Sequence, residues 1–216
     1  MGGSALESAL REGGRGEGLK LIETLGWDGA RLVRGERHLA RLARSAALLG
    51  WACDTEAARA ALRAGRDGPV RLRLTLDRMA RIEVAAAPMA PAAKSWRVAL
   101  AGTALDAADP WLSIKSTRRA VYDEARLSLP EGIDELLFLN ESGDVCEGTI
   151  TNVFFDPGDG MRTPPLACGL LPGVLRQEML ETGLVREAIL RREDLGKVRL
   201  FVGNSLRGLI PAVWSC

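Results

Sequence analysis

Histidine and tyrosine occur once each, as His38 and Tyr122, and aromatic residues make up only 5% of the 216-residue chain. A Ser-His-Asp or Cys-His hydrolase would have to use His38, and no GxSxG nucleophile elbow accompanies it. Acid–base work therefore falls to Lys, Glu, Asp or Tyr. The cysteines, Cys53, Cys146, Cys168 and Cys216, form no CxxC pair. With one histidine to join them, no metal site is expected, structural zinc included. Scattered cysteines of this kind fit a reduced, cytoplasmic protein. Lys plus Arg (29) and Asp plus Glu (28) nearly cancel. There is no basic excess to suit nucleic acid and no acidic excess to mark a disordered tail. No apolar run approaches the roughly 20 residues that span a bilayer. The opening MGGSALESALREGG lacks the apolar stretch of a secretory signal.

What is present reads as a mixed α+β or α/β chain in two parts. Residues 1–18 hold six glycines and read as a loose arm. LKLIETL, Leu19 to Leu25, has strand character and runs into a turn at Gly26–Gly29. Leu39, Leu42, Ala46 and Leu49 recur at spacings of three and four, which predicts a helix over 36–49. A second helix is expected from Thr55 to Ala64, ended by Gly65. VRLRLTLD (70–77) alternates strictly, and ARIEVAAA and WRVALAG add further strands. A small α+β domain is thus expected over 19–103, with a linker over 104–111 and a larger domain over 112–216. In the larger domain helices are expected at 118–129 and from Pro172 to Gly183, with a short one at 193–197. Strands are expected at 135–140, 144–147, 151–156, 185–190 and 199–203.

Three features there could carry chemistry. Lys115, in WLSIKSTRR, reads either as a strand-edge lysine or as an amine kept neutral by apolar neighbours and able to attack a carbonyl. Glu147, in DVCEGTITNVFF, reads either as a solvated strand end or as a carboxylate that needs a partner. In GLLPGVLRQEML, Pro172 and Gly173 lead into a helix. Its first N–H groups are either an ordinary terminus or an anion cradle. A lysine for an aldehyde, a carboxylate for a ring nitrogen and a helix N-terminus for a phosphate are together the grips pyridoxal phosphate requires.

The order IKSTRRAVYDEA, DELLFLNESGDVCEGTITNVFF, TPPLACGLLPGVLR, GNSLRGLIPA resembles the class IV aminotransferases over about Leu19 to Ala212. That resemblance implies the fold type IV architecture of pyridoxal-phosphate enzymes, with the cofactor at the junction of two small mixed α/β domains, and a homodimer. It makes Lys115 the lysine that joins the cofactor aldehyde and later shuttles protons. Glu147 becomes the carboxylate on the ring nitrogen, a charge-assisted pairing that keeps the ring an electron sink. Arg41, in HLARL, matches the arginine that reaches the phosphate, although on the expected helix it lies off the Leu39–Leu42 face. The N–H groups of Val174 and Leu175 match the phosphate cradle, and Ser205 matches the hydroxyl contact from the last loop. Where the family usually has Ile-Thr, Leu175 lacks the hydroxyl but keeps the backbone donor.

Departures are visible. Fewer residues precede LIETL than in many members, so a trimmed small domain is expected. Branched-chain enzymes carry a tyrosine five residues after the lysine, where this chain has Ala120. Tyr122 is expected to pack against the larger domain. KSTRRAVYDEA and NSLRG most resemble the aminodeoxychorismate lyase-like branch. That branch implies formation of para-aminobenzoate and pyruvate for folate synthesis. An aminotransferase acting on an amino acid is the alternative, and a non-catalytic binding protein that keeps the fold is a third. Both reactions act on small amines bearing carboxylates, for which Arg118 and Arg207 are candidate clamps.

Overall fold

The computed structural model describes residues 5–63 and 68–215. The chain folds into two compact units, Met1–Pro91 with Ile114–Arg118, and Ala92–Ser113 with Arg119–Cys216. The unit boundaries differ from the expected domains at two places. The strand Trp96–Leu100, assigned from sequence to the small domain, belongs to the second unit, and the lysine segment 114–118 belongs to the first. The expected linker 104–111 is part of the second unit's fold. Leu105 is buried and bridges to Asn140, and Pro110–Ser113 is a 3-10 turn.

In the first unit, strands β1 (Lys20–Trp27), β2 (Val70–Asp77) and β3 (Ile82–Pro88) form an antiparallel sheet in the order β1-β2-β3. The strict alternation of VRLRLTLD puts Leu72, Leu74 and Leu76 on the buried face and Arg71 and Arg73 in solvent. Three helices accompany it: α1 (Ala5–Gly13), α2 (Gly35–Leu49) and α3 (Thr55–Arg63). The first of these corrects the loose arm. Leu10 is fully buried, and α1 packs on α2. The glycine count concealed an amphipathic turn whose one deeply buried leucine needs a single face only. The expected end of α3 at Ala64 and Gly65, like Cys216, lies outside the described residues.

The second unit is built on an 8-stranded sheet in the order β10-β11-β4-β5-β6-β7-β8-β9. The strands are β4 (Trp96–Leu100), β5 (Glu135–Leu139), β6 (Val145–Gly148), β7 (Asn152–Asp156), β8 (Arg162–Thr163), β9 (Arg186–Glu187), β10 (Arg199–Asn204) and β11 (Gly208–Trp214). Because β10 also pairs with β7, the strands β10-β11-β4-β5-β6-β7 close on themselves, leaving no open edge among them. Inside lie Val98, Leu137, Val145, Val153, Leu200 and Val202. Helices α4 (Ala120–Leu127) and α5 (Val174–Glu181) are shorter than expected. The strand expected at 185–190 shrinks to β9, and the helix at 193–197 is a 3-10 segment over Arg192–Lys197. Sequence reading overlooked β8 and β11. Pro211 argues against a strand in GLIPAVW, yet β11 holds it between two partners, antiparallel to β10 and parallel to β4 from Ala212 onward.

Leu10→Ala tests the helical reading of the N-terminal segment. Truncating a fully buried leucine is expected to lower the unfolding free energy by about 2–5 kcal/mol. Denaturant titration reads this directly, and a change within about 0.5 kcal/mol would return the segment to an unpacked arm.

Candidate active site

In the first unit, Lys115 lies on a short extended segment beside β1. Its carbonyl accepts from Ile22 N (2.8 Å), and Thr117 N donates to the Lys20 carbonyl (2.9 Å). A bridge between Leu21 and Ser116 sets the antiparallel register. Ile114 and Ser116 are buried while Lys115 is half-buried, so the segment is fixed. The strand-edge geometry weighed for this lysine is what holds its backbone.

Behind that segment sits an ionic cluster. Glu23, of LIETL, is buried, and Arg41 grips it in bidentate fashion, Nε to Oε1 at 2.9 Å and Nη2 to Oε2 at 2.6 Å. His38 Nδ1 faces Glu23 Oε2 at 2.6 Å. Burial by itself would raise the Glu23 carboxyl, but the Arg41 guanidinium and then His38 overcome it and hold the pKa at about 2. Burial lowers His38, and the charges of Arg41 and Lys115 push the same way against Glu23. Arg41 is thus a buried member of α2 and not a solvated arginine on another face. Histidine, arginine and leucine share one broad helix face because the carboxylate of β1 supplies the compensating charge.

In the second unit, Glu147 stands on β6, 5% exposed. The Tyr122 hydroxyl donates to Oε1 (2.8 Å) and Leu171 N donates to Oε2 (3.2 Å). Tyr122 packs edge-on against Phe138, as the expected packing role requires, and Arg119 lies 5.6 Å from its ring centroid. Burial, and then the neighbouring Glu147, keep this phenol protonated far above its ordinary range. Its hydroxyl is therefore a fixed donor, a role the sequence reading did not give it. The thiols of Cys146 and Cys168, in the same region, are pushed up by burial and supply no thiolate.

The chain from Leu171 leads into α5. Gly173 N donates to the Leu171 carbonyl (2.8 Å), and Gly173 is the N-cap with no side-chain cap, so Val174 and Leu175 open the helix with their N–H groups. A Cβ on Gly173 would overlap Asn152 Oδ1, which leaves glycine as the residue that fits this close approach. Ser205 is buried in the turn joining β10 to β11. The same turn is shaped by Asn204, whose Oδ1 accepts from Leu206 N and Arg207 N (3.0 and 2.9 Å). Leu175 packs close against Gly203, so the opening of α5 and this turn are neighbours. The structure thus places Glu147, Val174, Leu175 and Ser205 in one connected region of the second unit, and Lys115 and Arg41 together in the first. Of the two candidate clamps, Arg118 is exposed, and Arg207 lies over the Trp96 ring, 5.2 Å from its centroid.

Sequence reading missed Arg119, Arg126 and Glu135, and gave Tyr122 a packing role alone. The i, i+3, i+7 spacing of Arg119, Tyr122 and Arg126 was the available signal, since it puts them on one face of α4. All three hydrogen-bond toward the segment after β6 or its carboxylate.

Residues 20–213 match the Amino-transferase class IV family. The chain belongs to that family. It is 34% identical over 141 residues to the aminodeoxychorismate lyase of Saccharomyces cerevisiae, 56% of this chain but only 36% of the yeast enzyme. The chain thus aligns with about a third of that relative's length. It is 48% identical to a Mesorhizobium loti protein provisionally named an amino-acid aminotransferase, with a TM-score of 0.85, covering 91% of this chain and 100% of that one. The 4-amino-4-deoxychorismate lyase of Pseudomonas aeruginosa, at 24% identity, shares the fold, with a TM-score of 0.76 over 90% of this chain and 82% of that one. The architecture is that of the fold type IV enzymes.

Acid exposes the Glu23 cluster. A pKa lowered from 4.5 to about 2 means the unfolded chain binds the extra proton within that window, so stability falls as the pH falls, by on the order of 3 kcal/mol. The lowered His38 acts in the same direction below its ordinary value of 6.5. Denaturation at pH 7, 4.5 and 2.5 is expected to show this decline in the native chain and a shallower one in Glu23→Gln. Parallel profiles would contradict the pairing.

Proposed function

We propose that this chain is a pyridoxal-phosphate enzyme that converts 4-amino-4-deoxychorismate to para-aminobenzoate and pyruvate. The observation that carries the reading is Glu147, a buried carboxylate on β6 whose two oxygens accept from the Tyr122 hydroxyl and from Leu171 N. A carboxylate oriented by fixed donors in this way is the kind of partner that a protonated ring nitrogen requires. The lyase name of the yeast relative supports the choice of reaction.

The residues fit the cofactor. The N-terminus of α5, which has no side-chain cap, suits a phosphate, and Gly173 lets Asn152 pack against that helix start. Ser205 adds a hydroxyl in the adjoining turn. Arg41 already gives two guanidinium donors to Glu23, so any role of its own toward the phosphate is limited to what that fixed geometry leaves. When bound, pyridoxal phosphate supplies an electron sink for a carbanion at the substrate carbon that bears the amine.

Lys115 would hold the cofactor by its amine, release it to the substrate amine, take the proton from the substrate C4 and return one to the departing enolpyruvyl group. Its backbone, fixed against β1, would hold the side chain at one place through those tasks. Glu147 holds a proton on the ring nitrogen, and Tyr122 holds Glu147 in place. Arg118 is exposed and is the first candidate for a carboxylate clamp. Arg207 is committed to Trp96. The Mesorhizobium loti relative's name favours a second reading, an amino-acid aminotransferase using the same lysine and carboxylate. A homodimer in the cytoplasm is part of the proposal. No described helix is long and apolar enough to cross a membrane.

Two experiments decide. Borohydride reduction of the cofactor-loaded protein with peptide mapping is expected to label Lys115, and label on Lys20 or Lys94 would overturn that assignment. Incubation with 4-amino-4-deoxychorismate and no keto acid is expected to give para-aminobenzoate and pyruvate in equal amounts over many turnovers. Product only from ordinary amino acids, and only with a keto acid present, would replace the lyase with the aminotransferase.

A further inference from the structure

Glu135 opens β5, and its side chain is wholly enclosed. One oxygen accepts from Thr149 N (3.1 Å), the Thr149 hydroxyl and Leu136 N (3.2 Å), with Arg126 Nη1 at 3.4 Å. The other accepts from Ile150 N (3.2 Å) and the Thr151 hydroxyl (3.0 Å). Thr149, Ile150 and Thr151 are successive residues of the turn between β6 and β7, which begins directly after Glu147 and Gly148. A Cβ on Gly148 would lie 2.9 Å from the Glu135 carboxyl carbon and would overlap the Thr151 hydroxyl. The turn is therefore wrapped on the carboxylate too closely for any side chain there.

From this turn and the first residue of β7, hydrogen bonds run to the elements that carry Tyr122, Ser205 and the start of α5. Arg119 Nη2 donates to the Thr149 carbonyl (3.0 Å), tying in the helix that carries Tyr122. Asn204 Nδ2 donates to the Ile150 carbonyl (3.0 Å), tying in the turn that carries Ser205. Asn152 Nδ2 donates to the Leu171 carbonyl (3.0 Å), tying in the entrance to α5. Stability alone is a poor reason for such a group, because apolar replacement of buried ions is often neutral or stabilising. A carboxylate that collects donors from consecutive residues does what an apolar side chain cannot. It specifies the direction of each N–H and hydroxyl, and so of each carbonyl opposite.

We propose that Glu135 is a positioning residue, which fixes the β6–β7 turn so that Glu147, the start of α5 and the Ser205 turn are aligned for one cofactor. The inference rests on the cofactor reading above and touches no reacting atom itself.

The test uses full-length protein, freed of cofactor and titrated with pyridoxal phosphate. Affinity is read from visible absorbance, ring orientation from visible circular dichroism of the bound cofactor, and stability from melting of the cofactor-free form. Glu135→Gln puts an amide NH2 among donors and is expected to weaken binding at least about tenfold and to alter the visible dichroism. Thr151→Val removes one donor and is expected to cost about threefold, with Thr151→Ser restoring both readouts. If Glu135→Gln does not fold, the Thr151 pair decides alone. Variants that melt lower yet bind with unchanged affinity and dichroism would make Glu135 a folding residue and overturn the inference. Wild-type protein that takes up no pyridoxal phosphate would instead overturn the proposed function, and this inference with it.

Discussion

A carboxylate taken out of water must be surrounded by donors or cease to be ionised, and this chain buries three of them at the places that matter. Glu23 is met by Arg41 and His38, Glu135 by the β6–β7 turn, and Glu147 by Tyr122 and the backbone of Leu171. Meeting that requirement fixes the surrounding backbone. It makes α2 turn a mixed polar and apolar face toward β1, and makes α4 turn Arg119, Tyr122 and Arg126 toward β5 and β6. It also brings the residues before α5 up to Glu147. The apolar core of the closed strands gives the second unit its stability, whereas the carboxylates determine which atoms face one another.

The three differ in the donors that meet them. Glu135 is enclosed by the protein's own donors and can act only through the chain that surrounds it. Glu23 is held by a bidentate arginine and a histidine, which explains its low pKa. Glu147 accepts from the Tyr122 hydroxyl on one oxygen and from Leu171 N on the other. Groups of one chemical type thus acquire different surroundings from the direction of the donors around them.

Much of this was legible in the sequence, for reasons that can be traced to particular residues. The alternation in VRLRLTLD and the three-and-four spacing of Leu39, Leu42, Ala46 and Leu49 mark β2 and α2, because burial of one face leaves a periodic trace. Motifs in family order singled out Lys115, Glu147, Val174 and Leu175 as candidates, and the strand β6 and the helix α5 that carry three of them were expected. What stayed hidden leaves no period. Leu10 is a single buried residue in a glycine-rich stretch. Pro211 disguises β11, since its tolerance depends on partners distant in sequence. The burial of Arg41 was hidden, because its compensating charge, Glu23, comes from another element. Glu135 read as one more acidic residue at a strand start, and nothing local in DELLFLN announces that its donors lie 14 to 16 residues onward.

The central claim is that the Glu147 half-site is assembled by the protein's own hydrogen bonds before any cofactor arrives. Amide hydrogen exchange of the cofactor-free protein tests it most directly, read at Thr149 and Ile150, whose N–H groups are held by Glu135, and at Leu171, whose N–H is held by Glu147. Slow exchange at all three in the absence of pyridoxal phosphate, little changed by adding it, is the expected result. Fast exchange that becomes slow only when the cofactor is added would contradict the claim and make the cofactor the organiser of the site.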